Sequence, residues 1–180
     1  MTSEDLQLTA DHFSLFGLPR VFGLDLAELD RRYLEVQHRV HPDKHAHLTE
    51  ADRRVAMQWA TRANEAYQTL KSPLQRAHYL LLLAGHDPQV ERNTAMAPEF
   101  LVSQMEWRES VEEAREDGDV EGLEQLHARL RGEMKAQYAA LGQALDAKRN
   151  YADAGVRVRQ LMFQEKLLHE IDEALEASGA

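Results

Sequence analysis

His41-Pro42-Asp43-Lys44, set directly behind Tyr33-Leu34-Glu35-Val36-Gln37-His38-Arg39-Val40, is the stretch on which the fold turns. Proline has no amide hydrogen and its ring clashes with the preceding turn, so a helix arriving through Val40 must stop at Pro42. Upstream, Leu29, Tyr33, Val36 and Val40 recur at i, i+4, i+7 and i+11, the apolar stripe of a helix with one buried face. Asp25 is placed to cap its start, with Glu28 three residues on as a capping-box partner. Downstream, Thr49 can cap a second helix carrying Ala56, Ala60, Ala63, Tyr67 and Leu70 on one face. The alanines let two helix axes come close. The pattern therefore predicts two helices packed antiparallel, with the His-Pro-Asp loop at their tip.

Working outward, His12–Phe16 makes a short helix stopped by Gly17 and Pro19. Ser72-Pro73, a cap residue followed by proline at the first helical position, starts a fourth helix that ends near Gly85. Residues 86–97 break the periodicity and are expected to act as a linker. Pro98 opens a helix to about Asp117, Gly118-Asp119 turns the chain, and a further helix reaches about Ala147. The last runs from about Tyr151 to Ala177. No strand-like alternation or hairpin turn signal occurs. The expectation is an all-α chain, with a helical-hairpin domain over 1–85 and a three-helix bundle over 98–180.

Composition removes several classes of function. The chain contains no cysteine, so disulfides, thiolate catalysis and cysteine-ligated metal centres are excluded. The net charge of −10 is uneven: residues 1–85 carry −1 and residues 86–180 carry −9. An acidic second half is a poor match to nucleic acid, and the asymmetry suggests two modules with different partners. No apolar run approaches the roughly 18 residues of a membrane span. The acidic start, Met1-Thr2-Ser3-Glu4-Asp5, lacks the basic region of a signal peptide, and the expected location is the cytoplasm. His41, His45 and His47 lie close in sequence, but a loop enforces no ligand geometry, and no metal or other cofactor is expected. Paired carboxylates on the helices come with no nucleophile or phosphate loop, so no enzymatic activity is expected.

The helix–His-Pro-Asp–helix arrangement, the Ala66-Tyr67-Gln68-Thr69-Leu70 ending and Arg76-Ala77-His78-Tyr79 resemble the J-domain family in order and spacing. Val40 stands where many J-domains carry an aromatic, a change that keeps an apolar contact. That resemblance implies a protein that triggers ATP hydrolysis in a partner chaperone through His41, Pro42 and Asp43. Pro42 directs the backbone, His41 can brace the loop, and Asp43 presents a carboxylate suited to a partner arginine. Lys44, Arg31, Arg32 and Arg39 add positive charge for docking on an acidic chaperone surface. Singly, each arginine on the helix also fits a solvated face.

Asp11-His12-Phe13-Ser14-Leu15-Phe16-Gly17-Leu18-Pro19, the leucine-rich run after Arg76, Phe100-Leu101 and Arg159-Gln160-Leu161-Met162-Phe163 resemble the HscB family of iron–sulfur co-chaperones. The likeness covers about residues 11–176. On the first bundle helix, Phe100, Trp107, Val111 and Ala114 project within roughly 220–280° when Leu101 is set at zero. Leu101, Val102, Met105, Glu106, Glu109 and Glu113 fall within roughly 0–140°, a second face of three apolar residues and three carboxylates. By pattern alone Leu101 and Met105 fit a bundle interior as well as a binding face. The family resemblance implies the latter: a face for an IscU-type iron–sulfur scaffold built from these six residues and Phe163, with valine at 102 where other members carry methionine. It also implies an HscA- or DnaK-type chaperone as the other partner. A general J-protein with a different client remains the alternative. The expected oligomeric state is a monomer. Trp59 projects away from the alanine stripe of its helix, and Met57, Met96, Met134 and Met162 read as core or linker residues.

Overall fold

A computed structural model describes residues 10–40, 49–89 and 96–179. Among them every regular element is helical: α1 (His12–Leu15), α2 (Leu26–Val40), α3 (Glu50–Lys71), α4 (Pro73–Leu83), α5 (Pro98–Glu116), α6 (Val120–Gly142) and α7 (Tyr151–Ala177). A single π-turn, Gln143–Ala147, follows α6. The chain divides into two compact units, Met1–Leu80 and Leu81–Ala180, so the division falls inside α4.

The caps explain where the helices start. Asp25 Oδ1 accepts from the amides of Ala27 and Glu28, and Thr49 Oγ1 accepts from Asp52. Ser72 Oγ accepts from Gln75 one turn into α4. Glu28, expected to complete a capping box, is engaged by Arg31 and Arg32. Helix ends follow the glycines. Gly17 and Gly118 both sit at positive φ, and the next residue's amide reaches back to close the turn: Leu18 to Phe13 O at 2.9 Å, Asp119 to Ala114 O at 2.8 Å.

In the first unit α1 and α2 both pack on α3. Phe13, Phe16, Leu29, Val36, Val40, Ala63, Ala66 and Leu70 form one core, edged by Tyr33, Tyr67 and Tyr79. Trp59 belongs to this core and is buried, against the expectation that it points away. The buried face of α3 is wider than the alanine stripe and also takes in Trp59 and Ala66. Met57 is 62 % exposed and Met162 is also exposed, so neither is a core residue; Met134 is buried.

In the second unit α7 packs along α6 and α5. Trp107, Val111, Leu123, Leu130, Leu141, Val158, Leu161, Leu167 and Ile171 are its main buried side chains. Part of the expected linker rests on this bundle. His86 stacks on Tyr151 at 4.8 Å, and Arg159 donates to Pro88 O at 3.1 Å. Pro88 itself is buried and faces Gly155.

Candidate functional site

Two surfaces carry the residues singled out by sequence. The first is α2, which ends at Val40 immediately before the His-Pro-Asp loop. His41, Pro42, Asp43 and Lys44 lie outside the described residues, as do His45 and His47. What the structure does define is the mount for that loop. Tyr33 of α2 stacks on Tyr67 of α3 with ring centroids 4.0 Å apart. The Tyr67 hydroxyl donates to Asp30 at 2.9 Å, and Lys71 Nζ reaches the same carboxylate at 2.6 Å. Hydrogen bonds from Lys71 and Tyr67 hold the Asp30 carboxyl below its ordinary range. Gln37 donates to the Tyr33 hydroxyl, which also faces Asn64. These side contacts fix the rotation of α2 on α3.

The arginines of α2 are less available than their sequence suggests. Arg31 bonds Glu28 at 2.5 Å and Glu35 at 2.6 Å. Arg32 bonds Glu28 at 2.8 Å and lies 3.8 Å from Glu35. Hydrogen bonds from Arg31 and Arg32 pull the Glu28 carboxyl down to about 2. Arg39 Nε donates to the backbone carbonyl of Glu35. Within α2 three carboxylates, Glu28, Asp30 and Glu35, balance three arginines. The charges of Arg31 and Arg32 are thus compensated within the helix by i,i+3 and i,i+4 pairs of modest strength.

The second surface is on α5. Trp107, Val111 and Ala114 are buried as the stripe requires, joined by Gln104. The opposite side is open: Leu101 is 42 % exposed, Val102 54 % and Met105 71 %. Glu106, Glu109 and Glu113 are exposed along the same face. The structure therefore brings the six α5 residues together on one accessible face. Phe163 on α7 is half-buried and meets Phe100 edge to face at 6.0 Å. It flanks α5 through Phe100, the residue next to Leu101. Arg108 reaches Glu170 at 3.3 Å, a second tie between α5 and α7. An apolar cluster rimmed by carboxylates is the usual make-up of a protein-binding patch.

Sequence reasoning missed several contributors. Arg76, recognised only as part of a pattern, is buried; it bonds Phe22 O at 2.9 Å and Leu70 O at 2.5 Å. Leu34, passed over in sequence, is 57 % exposed on α2. A leucine at the position opposite the Leu29–Val36 stripe was the available signal.

Known proteins match this chain along most of its length. Residues 96–172 fit the family described as the HSCB C-terminal oligomerisation domain. A co-chaperone protein HscB homolog from Azoarcus sp. is 54 % identical over 172 residues, covering 96 % of this chain and 97 % of its own. One from Ralstonia nicotianae is 55 % identical over 165 residues, covering 92 % and 94 %. The chaperone HscB from Vibrio cholerae superposes with a TM-score of 0.82 at 36 % identity, over 93 % of this chain and 99 % of that one. Human co-chaperone protein HscB gives 0.85 at 26 % identity, over 93 % and 83 %. Described helices in the expected order, an open α5 face and relatives matched nearly end to end lead to one placement: the chain belongs to the HscB family of co-chaperones.

Proposed function

We propose that this co-chaperone is a two-site adaptor in iron–sulfur cluster assembly. Residues 1–85 form a J-domain that docks on an HscA- or DnaK-type chaperone and, through His41, Pro42 and Asp43, triggers hydrolysis in the chaperone's own ATP site. Residues 98–180 carry an IscU-type scaffold on Leu101, Val102, Met105, Glu106, Glu109 and Glu113, with Phe163 at the edge. Residues 86–97 join the two. Tethering raises the concentration of scaffold near the chaperone, so that one encounter delivers both the client and the trigger. The chain itself hydrolyses nothing, needs no cofactor, and acts in the cytoplasm as a monomer. An oligomer in solution, the property named in the bundle family's description, would overturn that last point.

The observation that supports the reading best is the exposure of Leu101, Val102 and Met105 on a helix whose other side buries Gln104, Trp107, Val111 and Ala114. Burying apolar side chains is worth about 25 cal/mol per Å2, so a stripe left open beside Glu106, Glu109 and Glu113 is a surface with something to gain from a partner. Asp43 at the loop tip suits a charge-assisted pair with an arginine on the ATPase.

The test is steady-state ATP hydrolysis by the HscA-type chaperone, with and without scaffold, in the presence of the wild-type chain or Asp43→Asn. Scaffold-dependent stimulation that the variant loses is the expected result. Stimulation indifferent to the scaffold would leave a general J-protein with another client. No stimulation of either chaperone type would sink the activator role.

A further inference from the structure

The groove between α5 and α7 runs on beyond the open α5 face. Phe100 and Phe163 meet at one end of it. Roughly two turns further along each helix, Arg108 and Glu170 close across it at 3.3 Å. From that pair onward the groove widens into a cavity of about 300 Å3. Val111 and Ala174, both buried, and the exposed Ala177 give it an apolar lining. Glu112 and Arg115 of α5 and Glu173 of α7 stand along its edges. Around α5, Arg108 and Glu112 project within roughly 20° of Leu101, and Arg108 is roughly 4.5 Å along the axis from Met105. The cavity and the open apolar face therefore share one edge of the helix.

We propose that this cavity is a second subsite of the partner face, and that it takes an apolar side chain flanked by lysine or arginine from the same protein that covers Leu101 and Met105. The proposal rests on the scaffold-binding role given above to the α5 face. Its size is at the lower bound of small-molecule pockets, and its lining is mostly charged where such pockets are mostly apolar, so it suits a side chain of a protein partner better than a free ligand. A specific interface uses roughly 20–30 residues a side. The residues assigned on α5, even with Phe163, fall well short of that. A protein seated on them reaches further, and the concave surface continuous with them is this groove. Charge sets the flanking chemistry. Arg108 is held by Glu170, and Arg115 lies 3.7 Å from Glu112. Glu173, 3.3 Å from His169 on its own helix, adds to the exposed Glu106, Glu109 and Glu113. The potential at the cavity is therefore negative and favours a cationic segment.

The experiment is a calorimetric titration of an IscU-type scaffold into the full-length chain. The variants are Ala177→Trp, which closes the exposed end of the cavity, Glu173→Lys, and Glu124→Lys. Glu124 is exposed on α6, which contributes nothing to the cavity lining, so it makes the same change of charge elsewhere. Leu101→Ala with Met105→Ala reports on the primary face. We expect Ala177→Trp to weaken binding about fivefold or more and Glu173→Lys about threefold or more, with Glu124→Lys within about 1.5-fold of wild type. Should Ala177→Trp misfold by circular dichroism, the comparison of Glu173→Lys with Glu124→Lys carries the test. Wild-type affinity in both cavity variants, with Leu101→Ala/Met105→Ala weakened, would overturn the second subsite and keep the α5 face. Equal weakening by Glu173→Lys and Glu124→Lys, with Ala177→Trp unchanged, would also overturn it, since net charge alone would then be at work. Absence of scaffold binding by the wild type would overturn both readings.

Discussion

Phe163 of α7 and Phe100 of α5 meet edge to face, ring centroids 6.0 Å apart and planes 75° from each other. Edge-to-face pairs of this kind favour a fixed approach of the two helices by about 0.5–1.5 kcal/mol beyond simple burial. Their position matters more than their energy. Leu101 follows Phe100 directly, so the rotation that seats Phe100 against Phe163 also turns Leu101, Val102 and Met105 outward.

This arrangement separates two roles for Phe163. If it only steadies α5, Phe163→Ala should lower the melting temperature and leave scaffold affinity to fall in proportion. If it also touches the scaffold, Phe163→Leu, which keeps much of the packing, should still weaken binding. We expect Phe163→Ala to cost about 1–3 kcal/mol of stability, less than a fully buried phenylalanine because the ring is half-open. We further expect Phe163→Leu to weaken scaffold binding about threefold or more. Calorimetric titration alongside thermal unfolding reads both; binding by Phe163→Leu at wild-type strength would confine the residue to support.

Leu101 and Met105 lie one turn apart and are exposed, so their loss should be felt by the partner rather than by the fold. Replacing both with alanine should weaken scaffold binding by about 2–4 kcal/mol, while stability changes by no more than about 0.5 kcal/mol. Isothermal titration and chemical unfolding on the same preparation check this. A large drop in stability with unchanged affinity would mean that the face serves the fold.

Much of this was readable in the chain because local rules and tertiary packing agree. Asp25, Thr49 and Ser72 cap where their side chains predict, and Pro98 opens α5. The α5 face emerged from angular projection because its helix has two distinct sides. Trp59 was misjudged for a physical reason: a stripe defined by small residues understates its width, and a large ring at the edge can still reach the core. The locking of Arg31 and Arg32 by Glu28 and Glu35 depended on rotamers that spacing alone does not select. The role of Arg76 was hidden because its acceptors, Phe22 O and Leu70 O, are backbone atoms and leave no mark in the side-chain sequence.

Asp11 gives the first unit an acid-sensitive point. It caps α1 by accepting from the amides of Phe13 and Ser14, and its other oxygen takes the Ser14 hydroxyl and Arg20 at 2.5 Å. Burial alone would push this carboxyl up, but the Ser14 and Arg20 hydrogen bonds outweigh it and bring it down to about 2. A carboxyl lowered on folding stabilises the native state above its unfolded pKa, near 3.9, and the contribution disappears as pH falls through about 2. With Arg20 largely exposed, the charge contributes on the order of 1 kcal/mol. Asp11→Asn should therefore be less stable than wild type at pH 5 and about equal to it near pH 2. Urea midpoints across that range test it; a constant gap would mean that the cap acts through geometry alone.

Arg76 is a polar residue whose loss should damage the first unit. Its guanidinium is buried, bonds Phe22 O and Leu70 O, and lies 5.1 Å from the centre of the Phe22 ring. It thus ties the loop before α2 to the end of α3 from a position on α4. Arg76→Met fills similar space but leaves two carbonyls without their donor, and an unpaired buried acceptor costs about 1–3 kcal/mol. We expect Arg76→Met to destabilise by about 2–4 kcal/mol. Arg76→Lys should recover only part of this, since an ammonium lacks the fork that reaches both oxygens. The readout is thermal unfolding paired with ATPase stimulation at low temperature, where the folded fraction is high. Loss of stability with stimulation intact in the cold would place Arg76 in the frame of the J-domain alone; loss of stimulation in a folded variant would mean that the frame also sets how α2 meets its partner.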